Sequence, residues 1–327
     1  MKVIITGGAG YIGSNCTKIL KDKCDVVVVD NLSRGHLDSI PGVKFYNSDI
    51  RNKDELDKVF KAEAPVDAVI HFAANSLVGE SCEKPYEYFI NNVYGTLELL
   101  KVMVDNNVKK IVFSSSAAVY GKVDKALITE DLPLNPSSPY GETKAMMESI
   151  MKWFDEAYGL KYVALRYFNV CGASSDGTTG EDHRPETHLI PIVIQTLEGK
   201  RDHLDVYGDD YETRDGTCIR DYINIEDLID GHVKALEYLM DGGNSNVFNL
   251  GTKNGSSNLE IIKAVEEVSG KKIKYVMAGR RAGDPDSLVA NADKARRILK
   301  WEPKHTLEDS LRSAILFHET HPNGYEK

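Results

Sequence analysis

Short β-branched runs alternate with longer amphipathic segments through the first half of the chain. The runs predict strands and the longer segments predict helices. Continuously apolar strands separated by helices are typical of a parallel sheet covered on both faces, and right-handed crossovers make it doubly wound, as in Rossmann-type α/β folds. The predicted strands are Lys2–Thr6, Asp25–Asp30, Val43–Tyr46, Ala68–Phe72, Lys110–Ser114 and Tyr162–Arg166, and the predicted helices are Tyr11–Lys23, Lys53–Glu63, Pro85–Asn106 and Pro139–Tyr158.

The alternation ends near Phe168, where a polar, glycine-rich stretch begins. Helices and short strands return further on, which predicts a smaller α/β domain for a substrate. We expect residues 1–168 to form a dinucleotide-binding domain and residues 169–327 a substrate domain, with segments that can interleave. The elements predicted here are the helices His188–Leu197, Ile225–Met240, Ser257–Ser269 and Leu307–His318 and the strands Val247–Leu250 and Ile273–Val276.

Composition narrows the class of protein. The 327 residues carry a net charge of −10, which argues against non-specific binding of nucleic acid or of anionic membranes. No apolar run reaches the length of a membrane helix. The five cysteines are scattered and form no Cys-x-x-Cys pair, so we expect free thiols and a cytoplasmic protein. No metal site is expected, because His183 and His188 lack a spacing typical of metal ligands.

A glycine-rich turn lies between the first predicted strand and the first predicted helix. It places Gly7, Gly10 and Gly13 at the spacing of a dinucleotide-binding loop. Gly7 permits a tight turn, Gly10 lets a pyrophosphate approach the backbone, and Gly13 lets the helix pack closely. The free N–H groups at the start of the helix then favour phosphate.

Acidic residues end the second and third predicted strands. Asp30 lies twenty residues after Gly10, where a carboxylate accepts hydrogen bonds from the adenosine ribose and repels a 2′-phosphate. This favours NAD over NADP, although the nearby Arg34 leaves NADP open. Asp49 and Ile50 follow the third strand and are expected beside the adenine.

Tyr140 and Lys144 are four residues apart and therefore lie on one face of a predicted helix, which Ser138 would cap and Pro139 would begin. A free tyrosine is a poor base at neutral pH, and a nearby ammonium together with a positive nicotinamide would lower its pKa. Ser116 follows the fifth strand, at the sheet edge where ligands bind. We expect Tyr140 to act as the base, Lys144 to support it and Ser116 to bind the reacting hydroxyl.

These features together resemble the extended short-chain dehydrogenase/reductase family. The resemblance spans essentially the whole chain and is narrowed to the UDP-sugar 4-epimerases of that family by further stretches. These are His71–Ala74, Asn91–Thr96, Ser114–Gly121, Arg166–Asn169, Gly208–Tyr211, Asp215–Thr217, Arg220–Tyr222 and Arg280–Asp284.

The resemblance implies a bound NAD. Phe168 would pack against the nicotinamide, and Asn91 would lie near the cofactor phosphates or ribose. The full implied set of cofactor contacts is Gly7, Gly10, Tyr11, Ile12, Gly13, Asp30, Asn31, Ser33, Asp49, Ile50, Phe72, Ala73, Ala74, Asn91, Tyr140, Lys144 and Phe168.

The resemblance also implies a UDP-sugar site. Asn169 would reach the diphosphate, Arg220 and Arg281 would clamp it, Asp284 would bind the uridine ribose, and Tyr207 with Val206 would line the uracil pocket. Leu288 stands where a tyrosine restricts sugar size in the family, so N-acetylated sugars become candidate substrates. The full implied set is Ser116, Tyr140, Asn169, Leu189, Val206, Tyr207, Arg220, Arg281, Asp284 and Leu288.

The implied reaction interconverts UDP-galactose and UDP-glucose by oxidation at C4, rotation of the 4-keto sugar and re-reduction. One departure from the family pattern is Ala118, where a hydroxyl residue is common, which affects the positioning of the sugar. An N-acetylglucosamine or pentose epimerase remains an alternative.

We expect a homodimer in which the segments Pro85–Asn106 and Pro139–Tyr158 pair as a four-helix bundle.

Three other functions are less well supported by the residues. Related 4,6-dehydratases carry Asp-Glu after the strand-five serine or threonine, where this chain has Ala117 and Ala118. A 4-reductase would need NADPH, which Asp30 disfavours. A non-catalytic dinucleotide sensor would not need Tyr140, Lys144 or the arginines, and the fold alone does not exclude one.

Overall fold

The computed structural model describes residues 1–123, 127–281 and 284–326, so Ala282 and Gly283 of the arginine-rich motif lie outside the described residues. Its strands are β1 Lys2–Thr6, β2 Asp25–Asp30, β3 Lys44–Asn47, β4 Ala68–His71, β5 Lys110–Ser114, β6 Lys161–Tyr167, β7 Asn169–Cys171, β8 Leu204–Tyr207, β9 Ile219–Asn224, β10 Asn246–Leu250, β11 Gly255–Ser257, β12 Tyr275–Ala278 and β13 Ser287–Leu288. Its α-helices are α1 Tyr11–Leu20, α2 Lys53–Glu63, α3 Val78–Glu83, α4 Pro85–Tyr88, α5 Gly95–Asp105, α6 Pro139–Tyr158, α7 Leu189–Leu197, α8 Ile225–Met240, α9 Asn258–Ser269, α10 Asp293–Ile298 and α11 Leu307–Thr320.

A seven-stranded parallel sheet organises the main part of the molecule, with the strand order β10-β6-β5-β4-β1-β2-β3. The order reverses between β1 and β4, which pair Ile4 with Val69. Ligands of open α/β sheets bind at such a switch point, beyond the carboxyl ends of the strands. The predicted doubly wound fold is confirmed, and the glycine loop after β1 lies at this point.

Apolar side chains cover both faces of this sheet because alternate residues of each strand point to opposite sides. Val3 and Ile5 pack into a cluster with Ile229 and Val233 of α8. Ile4, between them, packs into a second cluster that includes Leu99 of α5 and residues of α2 and α6. The sheet is therefore buried on both faces, as its continuously apolar strands predict.

The segment predicted as one helix over Pro85–Asn106 is interrupted. A π-helical turn, Phe89–Tyr94, separates α4 from α5. The buried Asn92 lies in this turn, where its side chain accepts from the backbone N–H of Asn75 at 2.8 Å and donates to Thr143 Oγ1 at 3.1 Å. Polar anchoring of this kind is not visible in hydrophobic periodicity, and π turns are frequent at functional sites.

Part of the second half of the chain joins the main sheet. Strand β10, predicted with the substrate domain, pairs with β6 so that Phe248 lies opposite Leu165. Its apolar side chains complete the sheet at an edge that β6 leaves open. The remaining strands form a small sheet around β9, which pairs with β7, β11 and β13, and a two-stranded sheet of β8 and β12. None of the helices in the described ranges is long and apolar enough to span a membrane.

Most element boundaries match the predictions, and the differences are local. Helix α1 ends at Leu20 instead of Lys23, and β12 covers Tyr275–Ala278 instead of Ile273–Val276. The register of β12 comes from its pairing with β8, which joins Tyr275 to Leu204. Several strands of two to six residues after Phe168 were not predicted, because such short segments carry little periodicity.

Candidate active site

Helix α6 holds the predicted catalytic pair. Its first turn is set by Ser138, whose side chain accepts from the backbone N–H of Gly141 at 3.2 Å, and by Pro139 at the first helical position. Both features agree with the sequence prediction. Tyr140 and Lys144 follow on one face and are buried, at 9% and 3% exposure.

Lys144 reaches from α6 to the end of β5. Its Nζ donates to the carbonyl of Ser114 at 2.8 Å and lies 5.8 Å from the centre of the Tyr140 ring. Burial lowers the pKa of Lys144 to about 7, although the negative charge of Glu148 opposes the shift. The ammonium is thus held against the tyrosine by a backbone contact.

Burial has the largest effect on the pKa of Tyr140 and raises it, while a hydrogen bond with Ser116 lowers it. We expected the neighbouring ammonium to lower this pKa. The groups of the protein alone do not lower it, because desolvation of the phenolate outweighs the hydrogen bond with Ser116. Ser116 itself caps the short 3₁₀ turn Ala117–Tyr120 and accepts from the backbone N–H of Ala118 at 3.1 Å.

Beneath these residues lies a buried polar network that sequence reasoning missed. Arg166 donates through Nε to Glu148 Oε1 at 2.9 Å and through Nη1 to the Tyr120 hydroxyl at 2.9 Å. Ser115, next to the predicted Ser116, donates to Glu148 Oε1 at 2.5 Å. Glu148 lies four residues after Lys144, and that spacing was the available signal.

The glycine loop fits a dinucleotide pyrophosphate. Gly7 has a φ of +72°, and a Cβ there would lie 2.4 Å from the backbone nitrogen of Ala73. A Cβ on Gly13 would lie 2.0 Å from the Gly7 carbonyl oxygen. At Gly10, by contrast, a Cβ would meet only that carbonyl oxygen, at 3.6 Å. The loop is tightly packed from behind and open at Gly10, as a backbone cradle for phosphate requires.

Asp30 lies beside this loop and is buried at 8% exposure. Its carboxylate accepts from the backbone N–H groups of Ala9 at 3.0 Å and Leu32 at 2.8 Å. A carboxylate has further lone pairs for the hydroxyls of a ribose. Arg34 points elsewhere and pairs with Glu80 at 3.0 Å, so its contact does not support a 2′-phosphate site.

The end of β3 supplies a second polar group near Asp30. Asp49 accepts from Asn31 Nδ2 at 2.9 Å, and Arg51 holds the pKa of Asp49 at about 2. The structure thus joins Asp49, which the sequence predicted beside the adenine, to Asn31, another of the implied cofactor contacts. Ile50, by contrast, is buried in the core under α5.

The other predicted cofactor residues occupy several environments. The Tyr11 hydroxyl donates to the carbonyl of Gly172 at 2.6 Å, and Asn91 donates to Asn92 Oδ1 at 3.1 Å. The Phe72 ring lies 4.9 Å from the ring of His232.

Some predicted cofactor residues are gathered by the sheet itself. The carboxyl ends of parallel strands meet at one edge of a sheet, and this brings together the residues that follow β2 and β4, namely Asn31, Ser33, Phe72, Ala73 and Ala74. Ile12 faces the core from α1.

The predicted substrate residues are gathered around the small sheets. Arg220 on β9 donates to the carbonyl of Pro285 at 2.9 Å, and its Nη2 lies 3.5 Å from Asp284 Oδ1. The Arg281 guanidinium stacks over the Tyr207 ring at 4.1 Å. These contacts join four predicted residues into two pairs.

The remaining predicted substrate residues differ in their burial and in the elements that carry them. Val206 packs in the core at 1% exposure, so only its backbone can face a ligand. Asn169 lies in β7 and Leu189 begins α7. Leu288 and Phe168 both pack against an apolar cluster that contains Ala117, the residue that follows Ser116 in the chain.

The chain matches, over residues 4–314, the model of a family described as GDP-mannose 4,6 dehydratase. It belongs to this extended short-chain dehydrogenase/reductase family. It is 54% identical to a UDP-glucose 4-epimerase of Lactobacillus helveticus, over 100% of this chain and 99% of the relative. Along its whole length the chain therefore resembles the UDP-glucose 4-epimerases of this family.

Two solved structures extend the comparison. The UDP-glucose 4-epimerase of Bifidobacterium longum in complex with NAD⁺ and UDP is 41% identical, with a TM-score of 0.94 over 99% of this chain and 100% of that one. The UDP-Glc/GlcNAc 4-epimerase of Campylobacter jejuni is 40% identical, with a TM-score of 0.85 over 98% of this chain and 99% of that one.

Proposed function

We infer that this chain catalyses the NAD-dependent interconversion of UDP-galactose and UDP-glucose. The observation that carries the inference is the buried Tyr140–Lys144 pair, held beside Ser116 at the carboxyl end of the parallel sheet. The open glycine loop and Asp30 lie at the same edge and fit NAD. Relatives that match the whole chain carry this activity in their names.

Tyr140 moves the proton in this reaction. Its phenolate oxygen takes the proton of the sugar 4-hydroxyl, and bound NAD supplies the acceptor for the C4 hydride. Ser116 orients the hydroxyl, and the ammonium of Lys144 stabilises the phenolate. In the reverse half-reaction Tyr140 returns its proton to the 4-keto oxygen, so the protein finishes in its starting protonation state.

Arg220 and Arg281 hold the diphosphate, and Asp284 with Tyr207 holds the uridine end. Guanidinium groups match phosphate geometry and remain charged at every working pH. Fixing the substrate by its nucleotide leaves the sugar free to turn over and present its other face. We accordingly assign NAD to the main sheet, with residues 1–168, and the UDP-sugar mainly to residues 169–327.

Sugar dehydration is the alternative that the family name raises. Loss of water needs a second acid–base group near the sugar, beside the tyrosine. The residues after Ser116 are Ala117 and Ala118, which carry no titratable group. This favours epimerisation over a 4,6-dehydratase activity.

The inference is tested by incubating the purified protein with UDP-galactose, without added NAD, and separating the products by chromatography. We expect UDP-glucose to form, with no net formation of NADH. Absence of product even after NAD is added would contradict the proposed reaction.

N-acetylated UDP-hexosamines are a second substrate class. Leu288 packs against the same apolar cluster as Phe168, a cluster that contains Ala117 next to Ser116, and leucine leaves more room there than tyrosine. We expect turnover of UDP-N-acetylglucosamine that Leu288→Tyr abolishes, while UDP-galactose is still converted. If wild-type protein fails to convert the N-acetyl sugar, this extension is wrong.

We also propose that the chain forms a homodimer through α5 and α6. Both helices expose large apolar side chains, Leu97 on α5 at 40% and Trp153 on α6 at 62%, and Tyr86 on the preceding α4 is exposed at 76%. Light scattering should give the mass of two chains, and Trp153→Glu should reduce it to one. Tyr275→Glu, on the exposed face of β12, is the matched control. A wild-type mass of one chain would contradict the dimer.

The compartment we propose is the cytoplasm. All five cysteines, each within the described ranges, are free thiols. Unpaired thiols are typical of a reducing compartment. Cell fractionation with detection of the protein in the cytoplasmic fraction is the direct check.

A further inference from the structure

A group of histidines and glutamates, none of them among the predicted site residues, lies in the segment between β7 and α7. It consists of Glu181, His183, Glu186 and His188, whose ligand-capable atoms all lie within 4.8 Å of one another. The spacing along the chain did not predict a metal site. The fold of the loop brings the four side chains together just before Leu189, where α7 begins.

The two imidazoles converge on the carboxylates through the same ring atom. His183 Nδ1 lies 3.0 Å from Glu181 Oε1 and 3.9 Å from Glu186 Oε2. His188 Nδ1 contacts Glu181 Oε1 and lies 3.8 Å from Glu186 Oε1. Both carboxylates are buried, with side-chain exposures of 6% and 4%.

These separations suit a four-coordinate metal ion. Bonds of about 2.0–2.1 Å from zinc to imidazole nitrogen and carboxylate oxygen place neighbouring ligands about 3.3–3.4 Å apart in a tetrahedron. The nitrogen–oxygen separations of 3.0, 3.8 and 3.9 Å bracket that value, so small rotations of the side chains would suffice.

One atom of the cluster also lacks an ordinary partner. The Nδ1 atom of His183 is buried and makes no hydrogen bond of acceptable geometry with the described residues, despite its closeness to Glu181. Buried polar atoms are nearly always satisfied, so an orphan of this kind calls for an additional group. A cation between the four side chains would accept its lone pair.

We propose that Glu181, His183, Glu186 and His188 bind one divalent transition-metal ion of the Zn²⁺ type. Imidazole with carboxylate favours zinc and its neighbours over Mg²⁺ or Ca²⁺, which prefer oxygen ligands alone. The side chain of His188 is 46% exposed, so the ion has a path from solvent.

The position of the cluster gives the ion a structural role. The ring of His183 lies edge-on to Tyr11 at 6.3 Å, and Tyr11 begins the helix that follows the glycine loop. The ion would fix the loop that leads into α7, including the His183 ring that packs against the start of α1. No titratable group of the proposed catalytic pair is part of the cluster.

The test uses the full-length protein, stripped of metal with a chelator, and zinc chloride as the probe. Equilibrium dialysis with elemental analysis should give one Zn²⁺ per chain, and the bound ion should raise the thermal unfolding midpoint. Mg²⁺ should give neither effect. Zinc content equal to background would overturn the proposal.

Variants locate the ion. His183→Ala should weaken zinc binding by about tenfold or more, since loss even of an outer-shell partner costs about 10- to 100-fold. Glu181→Gln keeps the side-chain shape and should weaken binding similarly. His203→Ala is the matched control, because His203 pairs with Asp205 at 3.5 Å on the surface, away from the cluster. Equal zinc binding by wild type and both cluster variants would overturn the proposal.

A spectroscopic readout does not depend on the variants folding. Co²⁺ placed in the wild-type protein should show the visible absorption of a four-coordinate site and be displaced by Zn²⁺. A six-coordinate Co²⁺ spectrum would mean that the cluster is an imidazole–carboxylate hydrogen-bond network and that the metal binds elsewhere on the surface. Failure of this test leaves the proposed epimerase reaction untouched, because that reaction is assayed separately.

Discussion

The residues that would move the proton and the residues that would hold the nucleotide are built in two different ways. Tyr140 and Lys144 lie in the first turns of a 20-residue helix, buried, with Lys144 bonded to the backbone of β5. Arg220 and Arg281 come from a short strand and a loop, and Arg281 is exposed. One region is held by regular secondary structure and the other by contacts between distant loops.

The difference follows from what each region must do. Proton transfer requires reacting atoms at a fixed separation, and rigid elements provide this best. Recognition of a diphosphate tolerates movement because charge acts over a longer distance and because the arginines can follow the ligand. We therefore expect changes in the first region to alter kcat and changes in the second to alter KM.

The largest effect is expected for Tyr140→Phe. It removes the proton acceptor, and general acid–base catalysis contributes about 10²- to 10⁴-fold, so kcat for UDP-galactose should fall by that factor. Steady-state assay of the interconversion measures it. Tyr158→Phe, at the exposed end of the same helix, should leave kcat unchanged. Equal activity of Tyr140→Phe and wild type would remove the tyrosine from the mechanism.

The next effect concerns the network beneath the pair. Glu148→Gln breaks the buried ion pair with Arg166 and should lower the free energy of unfolding by about 3–5 kcal/mol. Denaturant titration measures this loss. The exposed Glu156→Gln on the same helix should change stability by less than about 0.5 kcal/mol.

Glu148→Gln also provides a pH readout. The charge of Glu148 raises the pKa of Lys144, which burial brings down to about 7. Without that charge the pKa should fall further, so the ammonium is lost at lower pH. The limb of the kcat/KM profile that reports loss of the ammonium should then move to lower pH. A profile identical to wild type would make Glu148 purely structural.

A smaller effect is expected in the nucleotide region. Arg220→Ala should raise KM for UDP-galactose by about 10- to 100-fold, since hydrogen bonds to charged groups contribute about 1.5–3 kcal/mol. Its kcat should stay near wild type. Arg214→Ala, which removes an exposed pair with Glu260, is the control. A fall in kcat with KM unchanged would contradict the division between the two regions.

The smallest effect is expected at the cofactor. Asp30→Asn removes a charged acceptor beside the glycine loop and should weaken NAD binding by about tenfold. Measurement of NAD retained after dialysis gives the change. Asp25→Asn, at the exposed start of the same strand, should retain NAD as the wild type does. Unchanged retention by Asp30→Asn would remove Asp30 from the site.

The sequence by itself predicted more of the catalytic region than of the nucleotide-binding region. Ser138, Pro139, Tyr140 and Lys144 are neighbours in the chain, so one local pattern gave their helix, its start and its common face. Arg220 and Asp284 lie far apart along the chain, and only the resemblance to a known family suggested that they belong together. The network of Ser115, Glu148 and Arg166 was missed because the three residues come from three separate elements. Ser115 follows β5, Glu148 lies on α6 and Arg166 lies on β6.

By itself the sequence determined the local features of this protein. The apolar strands, the glycine loop and the capped helix of Tyr140 all follow from periodicity and backbone preferences, which act over a few residues. Only the tertiary structure decided that β10 completes the main sheet, that burial dominates the pKa of Tyr140, and that Glu181 and His188 meet. These properties depend on desolvation and on contacts between distant segments, and those exist only once the chain has packed.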